Sequence, residues 1–291
     1  MKPAKFEYHA PERSADVVDL LAQLGDDAKV LSGGQSLIPM LAMRLAVFEH
    51  LVDISRVDEL RGIERRNGDL WIGAGTTEAT VGSSTEVAAN VPLLARATPL
   101  IGHFQIRNRG TLGGCIAHAD PAAEYPAVAL ALDARMETLS PRGSRTIAAS
   151  DFFTGLWSTA MAADELLVGV SFPVWSGRTG FAIEEFARRH GDFAVAGAVV
   201  AVQLDDDDRV GRCAIGLFGL GASVERATAA ETEVTGTGAT ALDGARVGEL
   251  AMSGLTDIPS DVHGSADYRR RVGAAMVARA WTAAIREALD G

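Results

Sequence analysis

The amino-acid sequence predicts a mixed helix and strand protein in two parts, and three features predict it. Strand and helix signals alternate through the first half, long β-rich runs follow one another in the second, and the C-terminal stretch keeps a helical period. Residues 15–24 set Val17, Val18, Leu20, Leu21 and Leu24 at helical spacing, with Ser14 as the expected N-cap. Residues 29–31 and 51–54 read as short buried strands. Residues 63–64 and 70–72 read as a hairpin through Asn67-Gly68, a pair that tolerates the positive φ of a primed turn. Residues 124–132 have the composition of an apolar helix and 166–172 that of a strand. Pro173 closes that strand, and two glycines follow by Gly180, so domains 1–177 and 178–291 are expected. Beyond the boundary, residues 181–188, 194–204 and 212–220 predict three successive antiparallel strands. Two helical regions are expected after them, the second over 266–289. There Val272, Met276, Ala280, Trp281, Ala284 and Ile285 form a stripe suited to core packing.

At 291 residues the chain is long enough for two domains with their own cores. Its net charge of −11 argues against a nucleic-acid partner, which selects a basic face. Two cysteines, Cys115 and Cys213, exclude a disulfide framework, fit a reducing compartment and are too few to hold an iron–sulfur cluster alone. The N-terminal residues run into charge rather than an apolar segment, and the longest apolar run, 193–202, is too short to span a bilayer. The expected location is the cytoplasm. The six histidines show no metal-like spacing, and the aspartates at 205–208 read as a solvated turn, so no metal ligand and no catalytic residue is assigned.

The most informative motif is a pair of glycine doublets, Ser32-Gly33-Gly34-Gln35-Ser36 and Thr111-Leu112-Gly113-Gly114-Cys115. A residue without a Cβ lets backbone N–H groups come close to phosphate oxygens, and Ser32, Ser36 and Thr111 add hydroxyl donors beside them. Two such loops in one chain suit the two phosphates of a dinucleotide; a single doublet would read as a tight turn. The stretches at Gly73, Gly219 and Gly236 fall short of the Rossmann fingerprint in spacing or context, and neither a Walker loop nor a Gly-x-Ser-x-Gly elbow occurs. On residue type alone, Glu124 reads as a helix-start acid, and Ile101, Leu167 and Phe193 read as core.

Residues 28–40 and 105–121 resemble the FAD-binding loops of the flavoprotein (medium) subunit of molybdenum hydroxylases. That family includes aerobic carbon monoxide dehydrogenase and is related to the flavin domain of xanthine dehydrogenase. The similarity runs over nearly the whole chain and takes in Phe186-Ala187-Arg188-Arg189-His190-Gly191-Asp192-Phe193. It implies an α+β fold: a PCMH-type (vanillyl-alcohol-oxidase-like) FAD-binding domain of two α/β subdomains, then a C-terminal domain with a three-stranded antiparallel sheet and helices. It implies FAD held by Ser32, Gly33, Gly34, Gln35, Ser36 and Leu37 in the first loop and by Thr111, Gly113, Gly114 and Cys115 in the second. The same resemblance sets Glu124 on the adenosine part, Ile101 and Leu167 around the flavin, and Phe193 over one face of the isoalloxazine.

The implied partners are an iron–sulfur small subunit and a molybdopterin large subunit, in a heterotrimer or a dimer of heterotrimers. Electrons would pass from the clusters to this FAD and on to an external acceptor. Three departures bear on this. Phe193 stands where many relatives have Tyr, Cys115 where they often have Asn or Asp, and Glu184 and Glu185 where they often place a lysine near the flavin. A self-sufficient FAD-dependent oxidase with its own substrate, and a non-catalytic nucleotide-binding module, are the competing readings.

Overall fold

The computed structural model describes residues 2–291. Its N-terminal portion runs β1 (Glu7–His9), α1 (Ser14–Leu24), β2 (Ala28–Leu31), α2 (Leu37–Met43) and β3 (His50–Asp53). The strands pair in parallel in the order β1-β3-β2. Val17, Val18 and Leu21 of α1 pack with Val52, Ile54, Val57 and Leu60 into a small core that reaches Leu166. Ser14 is not the N-cap. It is the first helical residue, and its hydroxyl bonds the Glu59 carboxylate instead; Arg13 occupies the cap position without a side-chain bond.

The middle portion is built on a five-stranded antiparallel sheet, ordered β4-β5-β10-β6-β7. Its first hairpin joins β4 (Ile63–Arg66) to β5 (Asp69–Gly73) through Asn67 and Gly68, at φ 51° and 92°, the primed turn that Asn-Gly predicts. A run of helices follows: α3 (Glu78–Ser83), α4 (Thr85–Asn90), α5 (Pro92–Ala97), α6 (Phe104–Arg107), α7 (Leu112–His118) and α8 (Glu124–Ala131). The chain returns as β6 (Arg135–Ser140), β7 (Gly143–Ala148), the short α9 (Ala149–Phe152) and the hairpin β8 (Phe153–Gly155) with β9 (Ser158–Thr159). It then enters β10 (Leu166–Pro173).

The C-terminal portion carries β11 (Arg178–Phe186), β12 (Ala196–Leu204) and β13 (Val210–Phe218) as an antiparallel meander. The sheet has a fourth member, β14 (Glu225–Arg226), so the three-stranded expectation is corrected. Two residues are too few to leave a periodic signal. Three helices follow rather than two: α10 (Thr228–Val234), α11 (Gly244–Ser253) and α12 (Ala266–Asp290). The α12 stripe is core as expected, with Val272 at its half-buried margin.

Why residues 194–204 are apolar without alternation is plain from β12, which is covered on both faces. Val199 and Ala201 join the middle core, whereas Ala198, Val200 and Val202 join the core under α10–α12. Helix α8 is clamped by the same arrangement and buries all eight of its residues. A helix that is apolar all round has no solvent face to offer, so the acid that opens it, Glu124, is buried too. The two halves are also tied by Glu287 of α12, which accepts from the Arg96 guanidinium at 2.6 and 2.7 Å and from the Phe181 amide at 3.1 Å. Among the described residues no helix is long and apolar enough to cross a membrane.

Candidate cofactor site

The two glycine loops meet along one wall of a cleft of about 670 Å³, within the range of small-molecule and cofactor sites. Ser32, Gly33, Gly34, Gln35, Ser36, Leu37, Ile101, Thr111, Gly113, Gly114, Cys115, Glu124, Leu167 and Phe193 all line it. The loops are locked to each other. A Cβ on Gly33 would collide with the Arg109 carbonyl and lie 2.7 Å from the Gly110 Cα, and one on Gly113 would lie 2.6 Å from the Ala74 backbone. These glycines therefore admit neighbouring backbone. Gly34, at φ 74°, is the conformational requirement in the first turn. Across the seam Ser32 Oγ and Thr111 Oγ1 share a hydrogen bond of 2.7 Å.

The loops differ in what they offer an anion. Thr111 caps α7 by accepting from the Gly114 amide at 3.0 Å. The Leu112 amide donates to Thr76 O, the Gly113 amide to Ala74 O and the Cys115 amide to Thr111 O. The amides of residues 112–115 are thus consumed inside the protein, against the expectation that both loops present free donors. By contrast, the amides of Gly33, Gly34, Gln35 and Ser36 donate to no acceptor among the described residues. This is the donor set of an anion-binding turn.

The opposite wall comes from the second half of the chain. Gly191, at φ 83°, brings the loop after β11 against Gly102, whose carbonyl would lie 2.8 Å from an added Cβ. This closure carries Asp192 and Phe193 to the cleft beside Ile101. Phe193 is 66 % exposed, so it is not core but an aromatic face held in the open at the rim. Leu167 is buried and Ile101 half-buried, both packed on the middle core as well as lining the cleft.

Carboxyl groups give the site its electrostatic character. Glu124 is only 7 % exposed. Burial first, then the neighbouring Glu185 carboxylate, pushes its pKa up to about 8. Glu185 sits on β11 behind Glu124, has a buried Oε2 without a hydrogen-bond partner, and is raised by burial to about 7. Neither Glu184 nor Glu185 lines the cleft. Burial, then Glu78, Glu124 and Asp120, raises the Cys115 thiol well above its ordinary value, so Cys115 is an inert thiol here.

Sequence reasoning missed several lining residues. Trp157, at the tip of the β8–β9 hairpin with φ 51°, donates Nε1–H to Asp120 Oδ2 at 3.1 Å and lies near-parallel to the His118 ring. Lys29 and Phe48 also line the cleft. An exposed tryptophan at positive φ leaves no pattern along the chain. Away from the cleft, Glu7, His9 and His50 bring ligand atoms within 4.8 Å of one another, a grouping that histidine spacing does not disclose. His9 and His50 satisfy each other by a hydrogen bond of 3.2 Å, and the Glu7 side chain is 70 % exposed, so their approach is explained without an ion.

A cleft walled by a turn of open amides, an exposed aromatic ring and buried acids defines a dinucleotide-binding protein whose ligand carries both an anionic and a flat aromatic part. Residues 4–175 match the family described as "FAD binding domain in molybdopterin dehydrogenase", and residues 181–284 match "CO dehydrogenase flavoprotein C-terminal domain". The chain is 39 % identical over 284 residues to the carbon monoxide dehydrogenase medium chain of Hydrogenophaga pseudoflava, covering 98 % of each. It is 40 % identical over 288 residues to the 6-hydroxypseudooxynicotine dehydrogenase complex subunit alpha of Paenarthrobacter nicotinovorans, covering 99 % of this chain and 97 % of that protein. A solved structure of the Hydrogenophaga pseudoflava carbon monoxide dehydrogenase superposes with a TM-score of 0.95 at 40 % identity over 99 % of both chains. The chain belongs to the family of FAD-binding medium subunits of molybdenum hydroxylases.

Proposed function

We propose that this chain is the FAD-carrying electron-transfer subunit of a cytoplasmic molybdenum hydroxylase. Electrons reach it from [2Fe–2S] clusters on a small partner subunit, after substrate oxidation on a molybdopterin-bearing large subunit, and leave to an external acceptor. The assembly is a heterotrimer or its doubled form. The observation that carries this reading is the convergence of all fourteen candidate residues, drawn from both halves of the chain, on one cleft. Domains 1–177 and 178–291 supply its two sides. In this reading the parallel β1–β3 sheet and the antiparallel five-stranded sheet, with their helices, are the two α/β subdomains of a PCMH-type FAD domain.

Bound there, FAD supplies the capacity to take up electrons singly or in pairs and pass them on. The chain's own residues bind and orient. The amides of Gly33, Gly34, Gln35 and Ser36 take the pyrophosphate, and Ser32 and Thr111 brace that turn against the second loop. Glu124 accepts from adenosine hydroxyls, Ile101 and Leu167 exclude water from the flavin edge, and Phe193 covers one ring face. Without a phenol, Phe193 gives that face no hydrogen bond, and Glu184 and Glu185, which stand where relatives often place a lysine, lie outside the cleft and put no positive charge beside the flavin.

The test compares the chain alone with the complex. Alone, it should bind FAD, contain neither molybdenum nor stoichiometric iron, and be bleached by a strong chemical reductant but by no organic substrate. With its partners, substrate should reduce the flavin in stopped-flow spectra. Substrate-driven reduction by the chain alone would overturn this assignment in favour of a self-sufficient oxidase, and absence of flavin would favour a nucleotide-binding module.

A further inference from the structure

Glu78 lines the cleft, is 4 % exposed, and has a buried Oε2 with no hydrogen-bond partner. Nothing in the motifs points to it. Its place is set by backbone pairing with the second glycine loop: the Glu78 amide donates to Gly110 O at 2.9 Å, and the Leu112 amide to Thr76 O at 3.0 Å. The carboxyl group lies directly under Gly110, where an added Cβ would meet all three of its terminal atoms at 2.6–2.8 Å. Gly110 is also the residue against which Gly33 packs, so the Glu78 carboxyl sits just behind the seam between the loops.

The charged and titratable groups facing it come from three helices. Arg107 of α6 opposes the rise of its pKa, but that guanidinium already donates to Ile101 O at 2.9 Å and Gly102 O at 3.1 Å. Cys115 of α7, and Glu124 and Tyr125 of α8, face it and offer no positive charge. Burial dominates and lifts Glu78 to about 7. A carboxyl in such a place is stable as the neutral acid, and its O–H then needs an acceptor that the protein does not provide.

We propose that Glu78 is a cofactor-binding acid of this cleft: protonated, it donates a hydrogen bond to an acceptor oxygen of the bound dinucleotide, so that FAD binding takes up a proton. The inference rests on the FAD reading above. Its physical basis is charge. An anion held by the open amides of residues 33–36 would share this cleft with the Glu78 carboxyl, which further disfavours the carboxylate and raises its proton affinity. Linkage then makes FAD bind most tightly where Glu78 is already protonated and more weakly as pH rises past its titration in the empty site.

The experiment is titration of the flavin-stripped full chain with FAD, followed by flavin fluorescence, from pH 6 to 8.5. Isothermal calorimetry in two buffers of different ionisation enthalpy counts the protons taken up. The dissociation constant should rise as pH passes neutrality, by no more than about tenfold per pH unit for one linked proton and so by at most about 30-fold across this range, with proton uptake near neutrality. Glu78→Gln, a neutral isostere that still donates, should bind FAD at pH 8.5 nearly as the parent does at pH 6, with most of the pH dependence gone. A pH-independent affinity in the parent, no proton uptake, or an unchanged slope in Glu78→Gln would overturn the proposal while leaving the FAD reading intact. The unchanged slope would assign the proton to Glu124. No FAD binding at any pH would instead overturn the FAD reading itself, and the proposal with it. Should Glu78→Gln not fold, the proton count is taken on Glu124→Gln instead: uptake that persists there supports Glu78 as the proton's site, and uptake that disappears overturns the proposal.

Discussion

Gly33 faces the carbonyl of Arg109, and there is no room between them for a methyl group. The residue therefore serves the junction of the two loops as much as any ligand. Gly34 beside it would bring a Cβ only against movable side-chain carbons, Ile38 Cγ1 at 3.0 Å and Leu31 Cδ1 at 3.1 Å, but it holds φ at 74°. Adjacent glycines thus answer to different constraints, one steric and one conformational.

Gly33→Ala should push the loops apart, destabilise the chain by about 1–3 kcal/mol as an overpacked contact does, and release FAD. Gly34→Ala should cost about 1–2 kcal/mol for a non-glycine residue in the left-handed region. The flavin-to-protein ratio after gel filtration, read with thermal unfolding of the flavin-free chain, checks both. A Gly33→Ala chain that melts normally and yet loses flavin would mean that the glycine serves the ligand alone.

Phe193→Ala should leave the stability of the flavin-free chain within about 0.5 kcal/mol, because the ring is exposed at the cleft rim. The same change should weaken FAD binding by a few-fold, the equivalent of about 0.5–1.5 kcal/mol of aromatic contact, and shift the flavin midpoint potential. Anaerobic redox titration and melting curves measure the two effects. A lowered melting temperature with an unaltered midpoint would return Phe193 to the core.

The facing pair of Glu124 and Glu185 makes stability pH-dependent in the flavin-free chain. Their folded pKa values, about 8 and about 7, and that of Glu78 nearby, about 7, lie above that of a glutamate in the unfolded chain, about 4.3. The folded state therefore holds more protons between about pH 5 and pH 8, and stability falls as pH rises across that window. Ion-paired acids work in the other direction. Glu165, lowered by Arg145, and Glu287, lowered by Arg96, lend stability that disappears as pH falls below the ordinary carboxylate range. Thermal unfolding at pH 6 and pH 8 should show the higher melting temperature at pH 6, and Glu185→Gln should narrow the gap. A melting temperature that does not change between those pH values would show that the pair is solvated.

Much of the site was legible in sequence because its parts are local. A glycine doublet flanked by hydroxyls, an Asn-Gly turn and an apolar eight-residue helix each declare themselves within a window of about ten residues, since backbone freedom and hydrophobic period are short-range properties. The fourteen residues named from motif and resemblance do line one cleft. The acid that opens α8 is named for the site by resemblance alone, since its place in the chain reads only as a helix-start acid.

What the tertiary structure alone decided is which groups are left free when distant segments meet. The second glycine loop looks like a donor loop in sequence, yet the amides of residues 112–115 are spent on Ala74, Thr76 and Thr111, leaving the first loop with the larger set of open donors. Phe193 reads as core until the turn at Gly191 carries it into the open, and Ser14 reads as a cap until Glu59 engages its hydroxyl. Glu78 belongs to no motif and gains its role because strand pairing sets it under Gly110, 32 positions along the chain. Local sequence determines what a segment can offer; whether the offer is taken up inside the protein or left for a ligand depends on long-range pairing and burial, which no short window contains.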